Sequence, residues 1–578
     1  MSKYRFTYTI IVTIIFSFFD GLYGQSYIVP EGTFRSPVDY DYTLSGSFNE
    51  LRESHFHTGI DIKPSRVATK DRIYSIGNGY VSRIKIAAGG YGYALYIDHP
   101  ETGFTSVYAH LESYSAKISQ VAKNAQIRQG SFEVDLALTK EDLPLSKGEI
   151  IGIMGNSGFS FGEHLHFEIR DTKTEKPINP LLFGFHVTDN IPPTISNLAI
   201  HGLDDNFHKI YELVLPTGTA EDGKIYVPDS IEIPAQKIGI ALETFDKANA
   251  SNNKLGLYGL QLFVDNELQY SYFMDKISFT QNKLITGFYD FEEKKKSGDV
   301  YSLCYKLPGN DVEFLKNTGH GIIFISPDKV TNIRVEAEDY FKNKKTIIFD
   351  VKRAQTIIET PPAEPFTRWI RFGQSTEILD NNIKIKIGSN ALYRTIPFKL
   401  DIKRTSGKNS TYQIHQETEA LRTNIELHIK PEVYVEKYVN KSIITYTNKK
   451  GRKFNCGGSW REGFLMAHIG EFGMYSVGYD TIPPTIKTIN FKKITNKRTK
   501  FLFSIRDNLP TKGRDVSELT YKVWIDGMVT ISPYSLKSSE LEVPVSHLSS
   551  GTHTLKIEVK DHSGNKRVFE SEFNKNTK

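Results

Sequence analysis

The sequence predicts a mainly β protein, with one antiparallel β domain at the N-terminal end followed by about three β-sandwich modules. Three observations predict this. The 31 Tyr and 36 Phe, against 6 Met and 3 Trp, suit strands better than long helices. Residues 28–186 run as short alternating segments separated by Gly-rich turns. Beyond them, a motif repeats at domain scale. A chain of 578 residues is also too long for one core, and at about 100–200 residues per domain it holds about three to five. A hydrophobic content of 39% with 24% charged residues excludes wholesale disorder. The net charge of +5, from 72 Lys and Arg against 67 Asp and Glu, gives no electrostatic case for a nucleic-acid partner.

The elements follow in order. Lys3 and Arg5 precede an apolar run from Phe6 to Phe19, and Leu22-Tyr23-Gly24 offers a small residue before Gln25. This reads as a signal peptide over 1–24, because a run of about 14 residues falls short of the ~20 needed to span a bilayer. No later stretch is long and apolar enough to span, so the mature chain is expected to be exported without a membrane anchor. The destination stays open between periplasm, envelope surface and secretion. Residues 25–188 form the first domain, with strands at Tyr74–Ile86, Ala94–His99, Thr105–His110, Glu149–Met154 and His164–Arg170.

The repeat then begins. Asp189-Asn190-Ile191-Pro192-Pro193-Thr194-Ile195 recurs as Asp480-Thr481-Ile482-Pro483-Pro484-Thr485-Ile486. Hairpin signals follow each copy, at Asp265-Asn266 and at Asp526-Gly527. Each closes on an alternating strand before an Asp: Ile333–Ala337 before Asp339, and Leu555–Val559 before Asp561. Residues 189–353 and 480–578 therefore read as immunoglobulin-like sandwiches, the first enlarged by insertions. Residues 354–479 read as a third sandwich-like unit. Pro192-Pro193 looks like a linker, so 25–188 is expected to fold alone. Cys304 and Cys456 lie in different units and are too few for a disulfide scaffold or a thiolate zinc site, so any metal must rest on His and carboxylates.

The chemistry is concentrated in the first domain. His57 and Asp61 lie four apart, and Gly59 between them with Pro64 beyond favours an extended segment that puts both on one side. His164-Leu165-His166-Phe167-Glu168-Ile169-Arg170 alternates without a fault. A strand here turns Leu165, Phe167 and Ile169 to the core and His164, His166, Glu168 and Arg170 to the other face. Ser106, Tyr108 and His110 form a third same-side set. Three segments offering imidazole or carboxylate from rigid sheet faces can build a three-ligand metal site. His55 and His468 read as half-buried structural residues, and His186, His201 and His553 as scattered and solvated.

Three motifs together resemble the lysostaphin/LytM-type zinc metalloendopeptidases of the bacterial cell wall. They are His57 to Asp61, Tyr108-Ala109-His110-Leu111, and Gly162-Glu163-His164-Leu165-His166-Phe167-Glu168. Ile76–Val81, Gly90-Tyr91-Gly92-Tyr93 and Lys147–Gly152 resemble the family too, and the likeness covers roughly residues 40–185. It implies a duplicated-hybrid-motif-like β domain binding one Zn²⁺ per chain through His57, Asp61 and His166. It implies His164 and His110 as catalytic histidines and Tyr108 as a residue lining the substrate site. Which histidine is the base stays open, and Glu168 is expected in a supporting or exposed place. The implied activity is hydrolysis of peptide cross-links in peptidoglycan through a metal-activated water.

The chain departs from the family in a long connection from His110 to Gly148, in Phe159 and Phe161 where small residues are common, and in Glu163 where proline is frequent. These weaken any transfer of bond specificity. Two other function classes remain: a catalytically silent regulator of other wall hydrolases, and a wall-binding or adhesin protein. The full set of His57, Asp61, His164 and His166 speaks against the first, and retention of His110 and Tyr108 against the second.

Overall fold

The chain folds mainly as antiparallel sheet, as its aromatic and β-branched composition favours. The computed structural model describes residues 29–576 except 31, 53, 66, 68–69, 186, 220–224, 227–230, 359–367, 496–497 and 513–518. The leader expected over 1–24 and His186 lie outside the described residues. No helix among the described residues is long and apolar enough to cross a membrane.

The N-terminal domain contains β1 (Leu44–Gly46), β2 (Ile60–Ile62), β3 (Arg72–Tyr74), β4 (Gly79–Ile86), β5 (Tyr93–His99), β6 (Phe104–Leu111) and β7 (Ser113–Tyr114). Helix α1 (Ala116–Gln129) follows, then β8 (Val134–Ala137), β9 (Pro144–Leu145), β10 (Ile150–Ile153), β11 (Leu165–Asp171) and β12 (Pro177–Ile178). The large sheet runs β1-β2-β11-β6-β5-β4-β8, with β12 on β11 and β9 on β4, and β3-β10-β7 make a smaller one. Helix α1 occupies the long connection after His110. It buries Ile118, Ala122 and Ala125 and stops at Gly130, whose φ of 61° supplies the left-handed cap.

The alternation read from β11 is present. Phe167 faces Tyr108 and Ile60 across the sheet, in the core with Leu165 and Ile169, while His166 faces Ala109 and Asp61. The second face is covered as well, so the strand is buried from Leu165 to Arg170.

Three further β units follow: 194–353 and 485–575 have two sheets each, and 368–479 has two five-stranded sheets and a two-stranded one. The two copies of the repeat enter their sheets alike, with Thr194 paired to Phe245 and Thr485 paired to Arg506. The first unit does not stand apart from the N-terminal domain. One apolar core runs from Val38 through Ile169 to Val351. Phe56, wholly buried, packs edge-on against Phe288 and Phe314 at 5.4 and 5.7 Å between ring centres. Its amide donates to Asn282 Oδ1, and Asn179 N donates to Asp275 O at 2.7 Å. The shared core bears against the expectation that 25–188 folds alone. The proline pair marks a linker in the chain, but apolar surface on both sides of it is closed by the other. Cys304 and Cys456 are buried, unpaired and in separate cores.

Candidate metal centre

Asp61 sits in β2, and β11 pairs with it so that His166 lies directly opposite. His57 reaches the same point from the loop entering β2, where its amide donates to Glu50 O. Three donor atoms converge there. His57 Nε2 is 2.9 Å from His166 Nδ1 and 3.0 Å from Asp61 Oδ1, and His166 Nδ1 is 3.1 Å from the same oxygen.

The far side of each ligand is pinned. His57 Nδ1 donates to Ser47 O at 2.8 Å, and His166 Nε2 donates to Glu168 Oε1 at 2.8 Å. Asp61 Oδ2 accepts from Arg52 at 2.9 Å. Each ligand therefore turns a lone pair inward, the second-sphere pattern of metal-binding histidine. Ligands at about 2.0–2.1 Å around a tetrahedral ion stand about 3.3 Å from one another, so the spacing here fits zinc after a slight opening. Two neutral nitrogens and one carboxylate oxygen are a zinc-type donor set.

Two more histidines face this cluster. His164 donates from Nδ1 to Gly162 O at 2.9 Å, and its Nε2 lies 3.5 Å from Asp61 Oδ1. His110 donates from Nδ1 to Ser157 O at 2.8 Å, and its ring centre is 4.9 Å from that of His164. Burial, reinforced by His166 and His164, drives His110 down to about 3, and burial lowers His164 too. Both rest neutral at pH 7. His166 behaves oppositely: burial disfavours its charge, but Asp61 and Glu168 outweigh that and lift it to about 9 without a metal.

His110 reaches the cleft by a bulge. Register between β5 and β6 passes from Tyr93↔Leu111 to Leu95↔Tyr108, so β6 carries one extra residue. His110 adopts φ 60°, a left-handed conformation uncommon outside glycine. The extra residue puts His110 on the side of Ala109 and His166. Strict alternation would have left it beside Tyr108.

Tyr108 is accordingly corrected. It does not line the cleft but is wholly buried in the core, packed on Phe167, with its hydroxyl accepting from Ile76 N at 3.0 Å. The ring beside the cluster is Tyr91, 5.1 Å from His166. Tyr91 stands between Gly90 and Gly92, and Gly92 (φ 62°) lies so close to Ser157 that a Cβ there would fall 2.4 Å from its hydroxyl. The Gly-Tyr-Gly spacing thus carried a signal, a backbone-to-backbone approach that sets Tyr91 and the Ser157 carbonyl together.

Glu168 is not on an exposed face. It is wholly buried beneath His166, accepting from Thr58 Oγ1 and Arg170 Nε, each at 2.6 Å, and from the Tyr91 hydroxyl. Burial would raise its carboxyl, but Arg170 and His166 hold it well below the usual range. Arg170, already placed on that face, and Thr58, which the sequence did not single out, are further supporting residues. His55 and His468 are exposed rather than half-buried, and His201 and His553 are buried rather than solvated. Phe159 and Phe161 are exposed at the rim, ring centres 5.4 Å apart, and Lys537 of the last unit donates to Ser160 O between them.

Residues 55–132 match Peptidase family M23, and residues 367–480 match the Zu5-like domain. His57, Asp61 and His110 fall inside the first match, while His164 and His166 lie beyond it. The chain is 33% identical over 131 residues to the DD-carboxypeptidase/endopeptidase Mpg of Neisseria meningitidis serogroup B, covering 23% of each protein. It is 26% identical over 181 residues to an uncharacterized metalloprotease of Haemophilus influenzae, covering 30% of this chain and 31% of that one. The chain thus spans less than a third of the length of these curated relatives. Among solved structures, the catalytic domain of lysostaphin from Staphylococcus simulans aligns at 18% identity and a TM-score of 0.18, over 25% of this chain and 91% of that one. The N-terminal domain is similar to Peptidase family M23 over residues 55–132, and the remainder of the chain is β-rich.

Proposed function

We propose that the chain is an exported zinc metalloendopeptidase that hydrolyses peptide cross-links of bacterial peptidoglycan. One observation carries this reading. His57 Nε2, Asp61 Oδ1 and His166 Nδ1 converge with their outer atoms held, and two neutral histidines face them. The names of the curated relatives, a carboxypeptidase/endopeptidase and a metalloprotease, support it, as does the M23 match over His57, Asp61 and His110. Export rests on Lys3, Arg5 and the apolar run that follows.

His57, Asp61 and His166 would hold the ion. When bound, zinc supplies Lewis acidity, polarising a carbonyl and making water acidic near neutral pH. The other groups act on protons and charge. His164 has its Nδ1 proton engaged by Gly162 O, so Nε2 presents a lone pair toward the cluster and accepts the proton of the attacking water. His110 likewise has Nδ1 engaged and Nε2 free. It can take over the proton that His164 removes from the water, their ring centres being 4.9 Å apart, and then donate it to the developing oxyanion or the leaving amine, its depressed pKa making it quick to give that proton up. Phe159 and Phe161 offer apolar surface to the substrate at the rim.

The test is digestion of purified peptidoglycan by the zinc-loaded chain, with mass spectrometry of the released fragments. Cleaved cross-links that are absent with His110→Ala support the reading. An intact sacculus with a zinc-loaded, folded chain overturns it.

A further inference from the structure

The repeated motifs leave a feature that the metallopeptidase centre does not use. Each copy of the repeat gathers three aspartates at the root of its sandwich. In the first these are Asp189, Asp246 and Asp339, and in the second Asp480, Asp507 and Asp561. In each triad one oxygen per residue lies within 4.8 Å of the others.

The triads are equivalent position by position. Asp189 and Asp480 open the Pro-Pro-Thr-Ile motif. Asp246 and Asp507 follow the strands Lys237–Phe245 and Lys500–Arg506, which pair with that motif's threonine. Asp339 and Asp561 follow Thr331–Glu338 and Gly551–Lys560, in turns closed the same way. Asn343 Nδ2 donates to Asp339 Oδ2 and Asp189 O, at 2.6 and 3.3 Å. Asn565 Nδ2 donates to Asp561 Oδ2 and Asp480 O, at 2.8 and 2.9 Å. The same asparagine thus ties the entering strand to the turn in both copies.

A second observation points to a ligand. Asp246 is 4% exposed, and its Oδ1 has no hydrogen-bond partner. Asp480 is 2% exposed, and neither of its carboxylate oxygens has one. Buried carboxylate oxygens without a donor are costly unless something cationic meets them. Lys441 acts on Asp480 only at a distance, because its amine is given to Ser563 O at 2.6 Å. The first triad also borders a cavity of ≈ 30 Å³, room for about one small ion or water, between Leu44 and Phe48 of the N-terminal domain and the sandwich. Burial and mutual repulsion push Asp246 up to about 8 and Asp339 and Asp507 to about 6, the response of carboxylates lacking a counter-charge.

We propose that the two triads are twin calcium sites, each clamping the Pro-Pro linker to two turns of the sandwich it enters. All the side-chain donors are oxygens, which suits a hard divalent cation and not zinc. An irregular carboxylate shell that backbone carbonyls can complete suits calcium over the rigid octahedron of magnesium. Each ion would offset most of a threefold negative charge and fix the chain where one unit hands over to the next.

The experiment is calcium binding to the full-length zinc-loaded chain, by isothermal titration and by thermal unfolding with and without about 1 mM calcium. The expected result is two calcium ions per chain, one for Asp246→Asn, one for Asp480→Asn and none for the double variant, with zinc content unchanged in all four. Replacing a buried carboxyl that lacks a counter-charge should leave the calcium-free variants at least as heat-stable as the parent, while the calcium-dependent rise in Tm disappears from the double variant. Absence of calcium binding by the parent, or binding that survives in the double variant, overturns the proposal. So does magnesium binding as tightly as calcium, or unfolding of the calcium-free variants. Loss of peptidase activity with calcium stoichiometry intact would instead bear on the zinc centre alone.

Discussion

Replacing Glu168 with glutamine tests whether the metal centre is held from beneath. Glu168 receives His166, Thr58, Tyr91 and both Arg170 donors in a site with no exposure. Glutamine keeps the shape but removes the charge, and its amide turns an N–H toward groups that already donate. Two effects follow. Arg170 loses its buried partner, which costs about 3–5 kcal/mol in general. The lower end applies here, because Arg170 also lies 3.3 Å from Glu175 and stacks over Tyr96 and Phe279. At about 2–4 °C per kcal/mol, that lowers the unfolding temperature by roughly 6–12 °C. In addition, His166 loses the acceptor that fixes its tautomer and turns Nδ1 inward, which weakens zinc about 10–100-fold. Competition against a chromophoric chelator reads the affinity, and calorimetry reads the stability. A variant binding zinc within about twofold of the parent and melting within about a degree of it would refute the account of Glu168 as support for His166.

Three further outcomes are expected. His57→Ala and His166→Ala should lose zinc by elemental analysis, whereas His164→Ala and His110→Ala should keep it while turnover of a cross-linked muropeptide falls about 10²–10⁴-fold. A fragment ending at residue 188 should be insoluble or poor in zinc by elemental analysis, because it exposes Phe56 beside His57; Phe56→Ala in the full chain should cost about 3–5 kcal/mol in denaturant titration. Burial between Phe398 and Phe472 holds His415 down to about 4, against about 6.5 unfolded, so acidification protonates the unfolded chain first. Stability is then full above about pH 6.5 and falls by up to about 3 kcal/mol toward pH 4, and His415→Asn, which tolerates the φ of 50° there, should flatten this span in urea titrations at stepped pH.

Much of the centre was legible because it obeys the period of two. His166 and Glu168 share a strand face, and Asp61 meets them across a single pair of strands, so sequence order alone brings them together. His110 obeys a different rule. A bulge adds one residue to β6, and every inference of side from Ser106, Tyr108 and His110 inverts at that point. Nothing in Tyr-Ala-His-Leu announces a positive φ at the histidine, since only the pairing with β5 reveals the extra residue. Glu168 was placed in the right segment, but its burial depends on Tyr91 and Thr58 arriving from two other places to join Arg170 of its own strand. The shared core was hidden for a similar reason. Phe56 reads as one apolar residue between two histidines, and its partners Phe288 and Phe314 lie more than two hundred residues away.

That shared core gives the later units a part in the chemistry. His57 is a ligand from a loop, and loops hold a ligand only as firmly as their neighbours do. Here the neighbours come from two domains. Ser47 O fixes His57 Nδ1, and Ser47 Oγ in turn accepts from Gly256 N at 2.9 Å. Phe56, one residue before the ligand, is locked between rings of the first sandwich. The first contact adjoins Asp189 and Asp246, since Ser47, Gly256 and those aspartates line one cavity. A shift between the two domains would therefore move His57 against Asp61 and His166, which ride on the rigid pair β2 and β11. Misplacing one of three ligands by about 1 Å is enough to degrade a metal site. The sandwich beside the N-terminal domain is thus part of the frame that keeps the donor set closed.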